Sequence, residues 1–254
     1  MNFIVIIPAR YASSRLPGKP LLSIAGKPMI QHVYERAVDS GAAEVIIATD
    51  DTRIHDVAIE FGATVALTSA EHPSGSDRLA EVVEQQGFAG NQIIVNLQGD
   101  EPLMPPALIR QVADNLHQHT QASVSTLCER IRSAKDLFDT NIVKVVTDKD
   151  SMALTFSRAP IPWNRDVFSV STESLPQDSC HYRHIGLYAY RAEFISRYVS
   201  WPPCVLEQME SLEQLRVLWQ GFKIHVAVAM ESPGHGVDTE SDLKHAEQLM
   251  LKSL

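Results

Sequence analysis

Arg10, Arg15 and Lys19 fall within ten residues of one another in the segment Pro8-Ala-Arg-Tyr-Ala-Ser-Ser-Arg-Leu-Pro-Gly-Lys-Pro20. Ser13 and Ser14 add small hydroxyl donors, and Gly18 allows a ligand to approach the backbone closely. Cations and amide donors gathered in one turn suit a polyphosphate, whose charge is costly to desolvate without partners. Two familiar phosphate loops are ruled out. Walker A requires a first glycine where Ser13 stands and a Ser or Thr where Pro20 follows Lys19, and no G-x-G-x-x-G follows the first apolar run. A solvated basic turn is the plain alternative.

Two acids could complete such a site. Asp100 follows the apolar run IIVNL in Gln98-Gly-Asp-Glu-Pro, which would present a carboxylate at the edge of a sheet. Mg²⁺ prefers oxygen ligands and commonly takes one or two carboxylates together with substrate phosphates. Asp238, in the loop 233–239, is a candidate partner, although spacing alone does not join the two positions. Asp100 could equally form a turn, and Asp238 a helix start. Asp50 and Asp51 also end an apolar strand, but they read as cap or nucleotide-edge residues.

The elements that would carry these residues are legible from periodicity. The runs at 3–7, 45–49, 64–67 and 93–97 are apolar on both faces, as in a parallel sheet covered by helices. Between them lie amphipathic stretches: Pro28 opens one and Gly41 stops it, Asp50–Arg53 leads into a second ending near Gly62, and a third spans about 78–86. This β-α-β-α order predicts an α/β fold with a doubly wound, predominantly parallel sheet and a ligand site at the carboxyl ends of its strands. Beyond about residue 120 the connections lengthen. Strands are expected at 124–127, 143–146, 153–156, 185–190 and 224–229, and 164–179 reads as a surface loop. Leu206, Met209, Leu212, Leu215 and Leu218 recur every third residue and predict one helix after Pro203, with a last helix over about 240–251. With no linker or repeat, one domain (1–254) with a small added sheet lobe is expected.

The chain has 254 residues, 44% of them hydrophobic, enough for a sizeable core, and a formal net charge of −9. That balance argues against nucleic acid or an anionic membrane as partner. No run approaches the roughly 20 apolar residues of a membrane span, and the apolar start lacks a basic leader. Three scattered cysteines fit a reducing compartment, hence a cytoplasmic protein.

The segment IPARYASSRLPGKPL resembles the signature of the sugar-activating nucleotidyltransferases, in particular the cytidylyltransferases that act on 3-deoxy-manno-octulosonate (Kdo). The resemblance runs through nearly the whole chain: Gly75-Ser-Asp-Arg-Leu-Ala-Glu, Val95-Asn-Leu-Gln-Gly-Asp-Glu-Pro102, Ser157-Arg-Ala-Pro-Ile-Pro-Trp163, Arg183-His-Ile-Gly-Leu-Tyr188, Leu212-Glu-Gln-Leu-Arg-Val-Leu218 and Gly236-Val-Asp-Thr239. One departure is Ser74-Gly-Ser-Asp-Arg78 where the family reads S-G-T-E-R; hydroxyl and charge are both kept. The resemblance implies a nucleotidyltransferase fold, with a nucleotide-binding half to about residue 120 and a sugar-binding, dimerising half after it. It implies CTP and Kdo as substrates, Mg²⁺ held by Asp100 and Asp238, and a homodimer. Arg10 and Lys19 join the two aspartates as catalytic groups. Pro8, Ala9, Arg10, Ser13, Arg15, Lys19, Ser74, Gly75 and Gln98 would hold the nucleotide. Arg78, Gln98, Arg158, His184, Tyr188, Glu210 and Gln214 would hold the sugar. The same chemistry on another acidic sugar, an 8-amino Kdo analogue or sialic acid, stays open, as does a catalytically silent nucleotide-binding regulator.

Overall fold

The structure is a computed structural model that describes residues 1–12 and 16–253. Ser13 and Arg15, expected at the nucleotide, lie outside the described residues. The chain runs β1 (Phe3–Ala9), a 3-10 turn (Lys19–Leu21), the short hairpin β2 (Ser23–Ile24) and β3 (Lys27–Pro28), α1 (Met29–Asp39), β4 (Glu44–Thr49), α2 (Thr52–Glu60), β5 (Thr64–Leu67), α3 (Gly75–Gln86), β6 (Ile93–Asn96) and α4 (Pro106–Gln118). It continues through β7 (Val124–Arg130), α5 (Ala134–Phe138), β8 (Lys144–Thr147), β9 (Ala153–Ser157), α6 (Arg165–Phe168), β10 (Tyr182–Arg191), α7 (Ala192–Val199), α8 (Val205–Glu210), α9 (Leu215–Trp219), β11 (Ile224–Val228) and α10 (Glu240–Ser253).

Among the described residues the main sheet has the order β11-β7-β10-β6-β1-β4-β5, with β8 and β9 branching from β10. β6, β1, β4 and β5 run parallel, as do β7 and β11, while β10 is inserted antiparallel between β6 and β7. The fold is therefore mixed α/β with a mainly parallel sheet, as its sequence suggests. β1 shows why its sequence is apolar throughout. Phe3, Val5, Ile7 and Ala9 join the core on one face, and Ile4 and Ile6 join the core on the other. α1, α2 and α4 cover the first face, and α3 and α7 the second. The chain leaves β1 toward β4 on one side and returns to β6 on the other. The strand order thus reverses at β1, where open sheets of this kind leave a crevice for ligands. No helix of the described residues is long and apolar enough to cross a membrane.

Two stretches differ from expectation. The segment 164–179 is not all loop: it contains α6, whose Phe168 is buried with Ile131 and Leu137. The single helix expected after Pro203 is two short ones, α8 and α9, separated by Ser211 in the left-handed region (φ 51°). A strict three-residue repeat drifts off one helix face, because the helical period is 3.6, and Leu206 and Met209 are left exposed. Backbone carbonyls at the break are used by distant side chains: Arg158 Nε donates to Glu210 O (2.7 Å) and Tyr198 Oη to Glu213 O (3.0 Å).

Ile6 is fully buried in the central strand. Ile6→Ala is expected to destabilise the protein by about 3 kcal/mol, through lost transfer energy and the cavity left behind. A lowered denaturant midpoint with unchanged slope checks it.

Candidate active site

Residues that follow β1 and β6 meet the 3-10 turn, the start of α3 and the loop before α10 at the carboxyl edge of β1 and β6. Gly99, just past β6, passes so close to β1 that a Cβ there would sit 2.9 Å from Pro8 O. That contact delivers Asp100 to the turn following β1. Asp238 arrives from the far end of the sequence. Its loop is pinned by Val237 N donating to Asp100 O (2.8 Å), by Ser232 Oγ donating to Glu129 (3.0 Å), and by the fully buried Val237 side chain packing with Leu16, Met29 and Met250. Asp242 accepts from the Asp238 and Thr239 amides (3.1 and 2.9 Å), which fixes the start of α10.

Lys19 joins the two acids. Its Nζ donates to Asp100 Oδ2 at 2.6 Å and to Asp238 Oδ1 at 3.0 Å. Burial alone would lower the Lys19 pKa, but both carboxylates outweigh it and hold the ammonium above its ordinary value. Glu101, beside them, is driven the other way. Burial, then the charges of Asp100 and Asp238, push its carboxyl up to about 8, against the opposing charges of Lys19 and Arg183. One of its oxygens is buried without a partner. Burial first, and the neighbouring acids second, thus favour the neutral form of Glu101 at pH 7.

Two cavities adjoin here and share Gly75 and Gln98. The first, about 380 Å³, is lined by Pro8, Ala9, Arg10, Lys19, Asp100 and Asp238. It brings together all the described residues expected at the nucleotide except Ser74, which caps α3 at its rim by accepting from Asp77 N. The second, about 340 Å³, is lined by His184, Tyr188, Tyr190, Tyr198, Glu213 and Gln214, among others. Among the described residues, no lysine or arginine lines it. Gln98 lies between the two and donates to Asn96 Oδ1 (3.2 Å).

The protonation of His184 follows from its surroundings. Thr126 Oγ1 lies 2.9 Å from both Ile185 O and Leu187 O and must donate its one proton to a carbonyl. It therefore accepts from His184 Nε2 at 3.0 Å, leaving Nδ1 as the acceptor nitrogen. Although one edge lines the cavity, the ring is enclosed by Phe156 and Tyr188, and desolvation pushes its pKa down to about 3. The register shift in β10 between Ile185 and Tyr188 re-aims the strand beside it.

Three residues expected at the sugar do not line either cavity. Arg78 is fully buried behind α3, against Asp50 (3.2 Å) and Thr68. Glu210 accepts from Ser157 Oγ (2.6 Å) and Arg158 N (2.9 Å), and Arg158 reaches Glu210 O and Thr140 O. For Glu210 the physical cause is the break at Ser211. With α8 and α9 separate, Glu213 rather than Glu210 faces the cavity. Glu213 neighbours Gln214 in Leu212-Glu-Gln-Leu, and that adjacency was its only signal in the sequence. Ser76, Tyr190 and Tyr198 had none beyond an apolar or small-residue pattern.

A family model described as cytidylyltransferase matches residues 4–224. The chain belongs to the cytidylyltransferase family. It is 59% identical to a 3-deoxy-manno-octulosonate cytidylyltransferase of Idiomarina loihiensis, with 98% of each chain covered. It is 58% identical to the protein of that name from Pseudomonas syringae pv. tomato, again over 98% of each. A solved structure of a CMP:2-keto-3-deoxy-manno-octonic acid synthetase complexed with CTP superposes with a TM-score of 0.91 at 41% identity, over the whole of both chains. A cytidylyltransferase of Leptospira borgpetersenii, 16% identical with a TM-score of 0.63, shares the fold. In this cytidylyltransferase the two cavities therefore sit on a scaffold shared with that solved structure.

His184 has a consequence for acid stability. Because the folded protein keeps it neutral down to about pH 3 while the unfolded chain takes up a proton near 6.5, its contribution is complete above 6.5 and lost as pH falls. His184→Gln should therefore show a shallower fall in unfolding free energy between pH 6.5 and 4 than the parent protein. Denaturant titrations at stepped pH measure that slope.

Proposed function

We infer that this cytidylyltransferase converts CTP and Kdo into CMP-Kdo and pyrophosphate, activating the sugar for lipopolysaccharide synthesis. The observation that carries the reading is the convergence of Lys19, Asp100 and Asp238 beside Arg10, next to a cavity lined by hydroxyl, amide and carboxylate groups. The names of the full-length relatives support the substrate pair.

The anomeric hydroxyl oxygen of Kdo attacks the α-phosphorus of CTP, the α–β bridging P–O bond breaks, pyrophosphate leaves, and the hydroxyl proton passes to solvent. The protein's share is alignment and charge stabilisation. Lys19 and Arg10 face the phosphates and offset the negative charge that grows on the leaving group. The second cavity takes the polyol end of the sugar: tyrosine hydroxyls, Gln214, Glu213 and the His184 acceptor suit hydroxyls, and with no lysine or arginine among its described lining residues the sugar carboxylate stays on the Lys19 side. Asp100 and Asp238 are an oxygen-only pair already drawn onto one cation, the Lys19 ammonium, which fits Mg²⁺ completed by substrate oxygens. When bound, that ion supplies Lewis-acid charge to the reacting oxygens. All three cysteines are free, in keeping with a cytoplasmic enzyme.

A homodimer is part of the same reading. Leu154 on β9 and Val205, Leu206 and Met209 on α8 are large, apolar and exposed, and the Ser157–Glu210 and Arg158–Glu210 bonds tie β9 to α8. That face of the branching β8–β9 arm is the dimer surface. Met209→Glu should shift the protein toward monomer in sedimentation equilibrium, while an unchanged mass would remove this face from consideration.

A coupled pyrophosphate assay with CTP, Kdo and Mg²⁺ tests the reaction. Turnover should fall with UTP or ATP, and with sialic acid as acceptor. Asp100→Asn and Asp238→Asn should each reduce kcat by about 10²–10³, the scale of losing one charge-stabilising group. Lys19→Arg should also impair turnover, because a planar fork does not replace a compact ammonium. Near-normal rates in both aspartate variants at saturating Mg²⁺ would sink the two-acid site.

A further inference from the structure

Parallel strands in register place the residues that leave them side by side. β1 and β4 pair Pro8 with Ala48 and Ala9 with Thr49. The next residues, Arg10 and Asp50, therefore leave neighbouring strands at the same level, the strands being about 4.8 Å apart. An arginine and an aspartate so placed are natural partners, since a carboxylate accepts a guanidinium fork in a strong charge-assisted pair.

That pair is not formed. Arg10 Nη2 is buried without a hydrogen-bond partner. The Asp50 carboxylate lies instead 3.2 Å from Nη2 of Arg78, which reaches it from the first turn of α3. Arg78 is fully buried, and its Nη1 donates to Thr68 Oγ1. Neither Arg78 Nη2 nor Asp50 Oδ1 makes a hydrogen bond of good geometry, so charge rather than direction holds them. Burial lowers the Arg78 pKa, Asp50 opposes that fall, and the nearby Arg10 charge adds to it. Two guanidiniums thus compete for Asp50, while Glu81 adds a weaker attraction on Arg78. The carboxylate goes to Arg78, which lines neither cavity, and Arg10, which lines the cavity with Lys19, keeps an unspent donor.

We propose that Arg78 is a positioning residue: by claiming Asp50 it keeps the Arg10 guanidinium uncommitted for the phosphates of a nucleoside triphosphate. This rests on the reading that Arg10 meets those phosphates. Without Arg78, Asp50 captures Arg10, and the nucleotide must break an ion pair before it binds. The defect therefore appears in the KM for CTP. It is relieved by removing Asp50 as well, which a merely structural role for Arg78 does not allow.

Steady-state pyrophosphate release is measured with CTP varied at saturating Kdo and Mg²⁺, and rates are referred to folded protein by circular dichroism and thermal unfolding. Arg78→Gln should raise the KM for CTP about tenfold, the scale on which contacting pairs couple, with a smaller change in kcat. Asp50→Asn should not raise it, and Asp50→Asn combined with Arg78→Gln should bring it back to within about threefold of the parent. Should Arg78→Gln not fold, Arg78→Lys, with a shorter reach to Asp50, gives the same reversal on a smaller rise. An unchanged KM in the Arg78 variants, or a raised KM that persists in the double variant, overturns the proposal. Arg10→Ala separates the two layers. If it leaves the KM for CTP unchanged, the phosphate role of Arg10 itself fails; if it raises the KM while the Arg78 variants do not, only the role given to Arg78 fails.

Discussion

Two carboxylates remote from each other in the chain share one small volume only where a cation or a shared proton relieves their repulsion. In this protein Lys19 is that cation, at 2.6 Å from Asp100 and 3.0 Å from Asp238. Much of the architecture around it is what this meeting requires. Gly99 lets the segment after β6 touch β1. The loop 232–239 is tied down by Val237 and Ser232, and α10 packs Ala246 and Met250 beneath it. Even Glu101 reflects the crowding, since its burial, and then the charges of Asp100 and Asp238, favour its neutral form.

The sheet explains why the site divides into two chemically different halves. At the reversal of strand order around β1, the ends of parallel strands and the start of α3 deliver cations and backbone donors to one cavity. The antiparallel insertion of β10 supplies the other, with His184 and Tyr188 on one strand and Tyr190 just beyond. One half is thus rich in fixed charge. The other is rich in hydroxyl and amide partners and holds its histidine neutral. An acidic sugar set beside a nucleoside triphosphate has the same division, with polyol at one end and anions at the other.

Much of this was legible in sequence because buried parallel strands must be apolar on both faces. FIVII, VIIAT and IIVNL could be placed without knowledge of their neighbours. The basic turn after β1 was legible for the same local reason, as three cations within ten residues are unusual in a chain of net charge −9. What sequence could not supply was anything decided by remote partners. The break at Ser211 depends on Arg158 and Tyr198 bonding carbonyls that a continuous helix would have kept for itself. That break decides which of Glu210 and Glu213 faces the cavity. Asp100 and Asp238, separated by 138 positions, are joined by a loop whose packing has no local signature.

Arg78 illustrates the limit of reading charge as contact. Its place in Ser74-Gly-Ser-Asp-Arg78, at the opening of a helix that borders the site, makes it look like a ligand-binding cation. A fully buried guanidinium is expensive, and Asp50 at 3.2 Å with imperfect hydrogen-bond geometry, the Thr68 hydroxyl and the charge of Glu81 together oppose that cost. Stability alone is therefore a weak reason for the pair, since replacing both partners by apolar side chains of similar volume is often neutral or stabilising. The position makes physical sense if the buried charge matters for what it withholds. An acid beside Arg10 that is already occupied cannot neutralise the cation the nucleotide needs, and a site for a polyanion has as much use for that restraint as for the cations themselves.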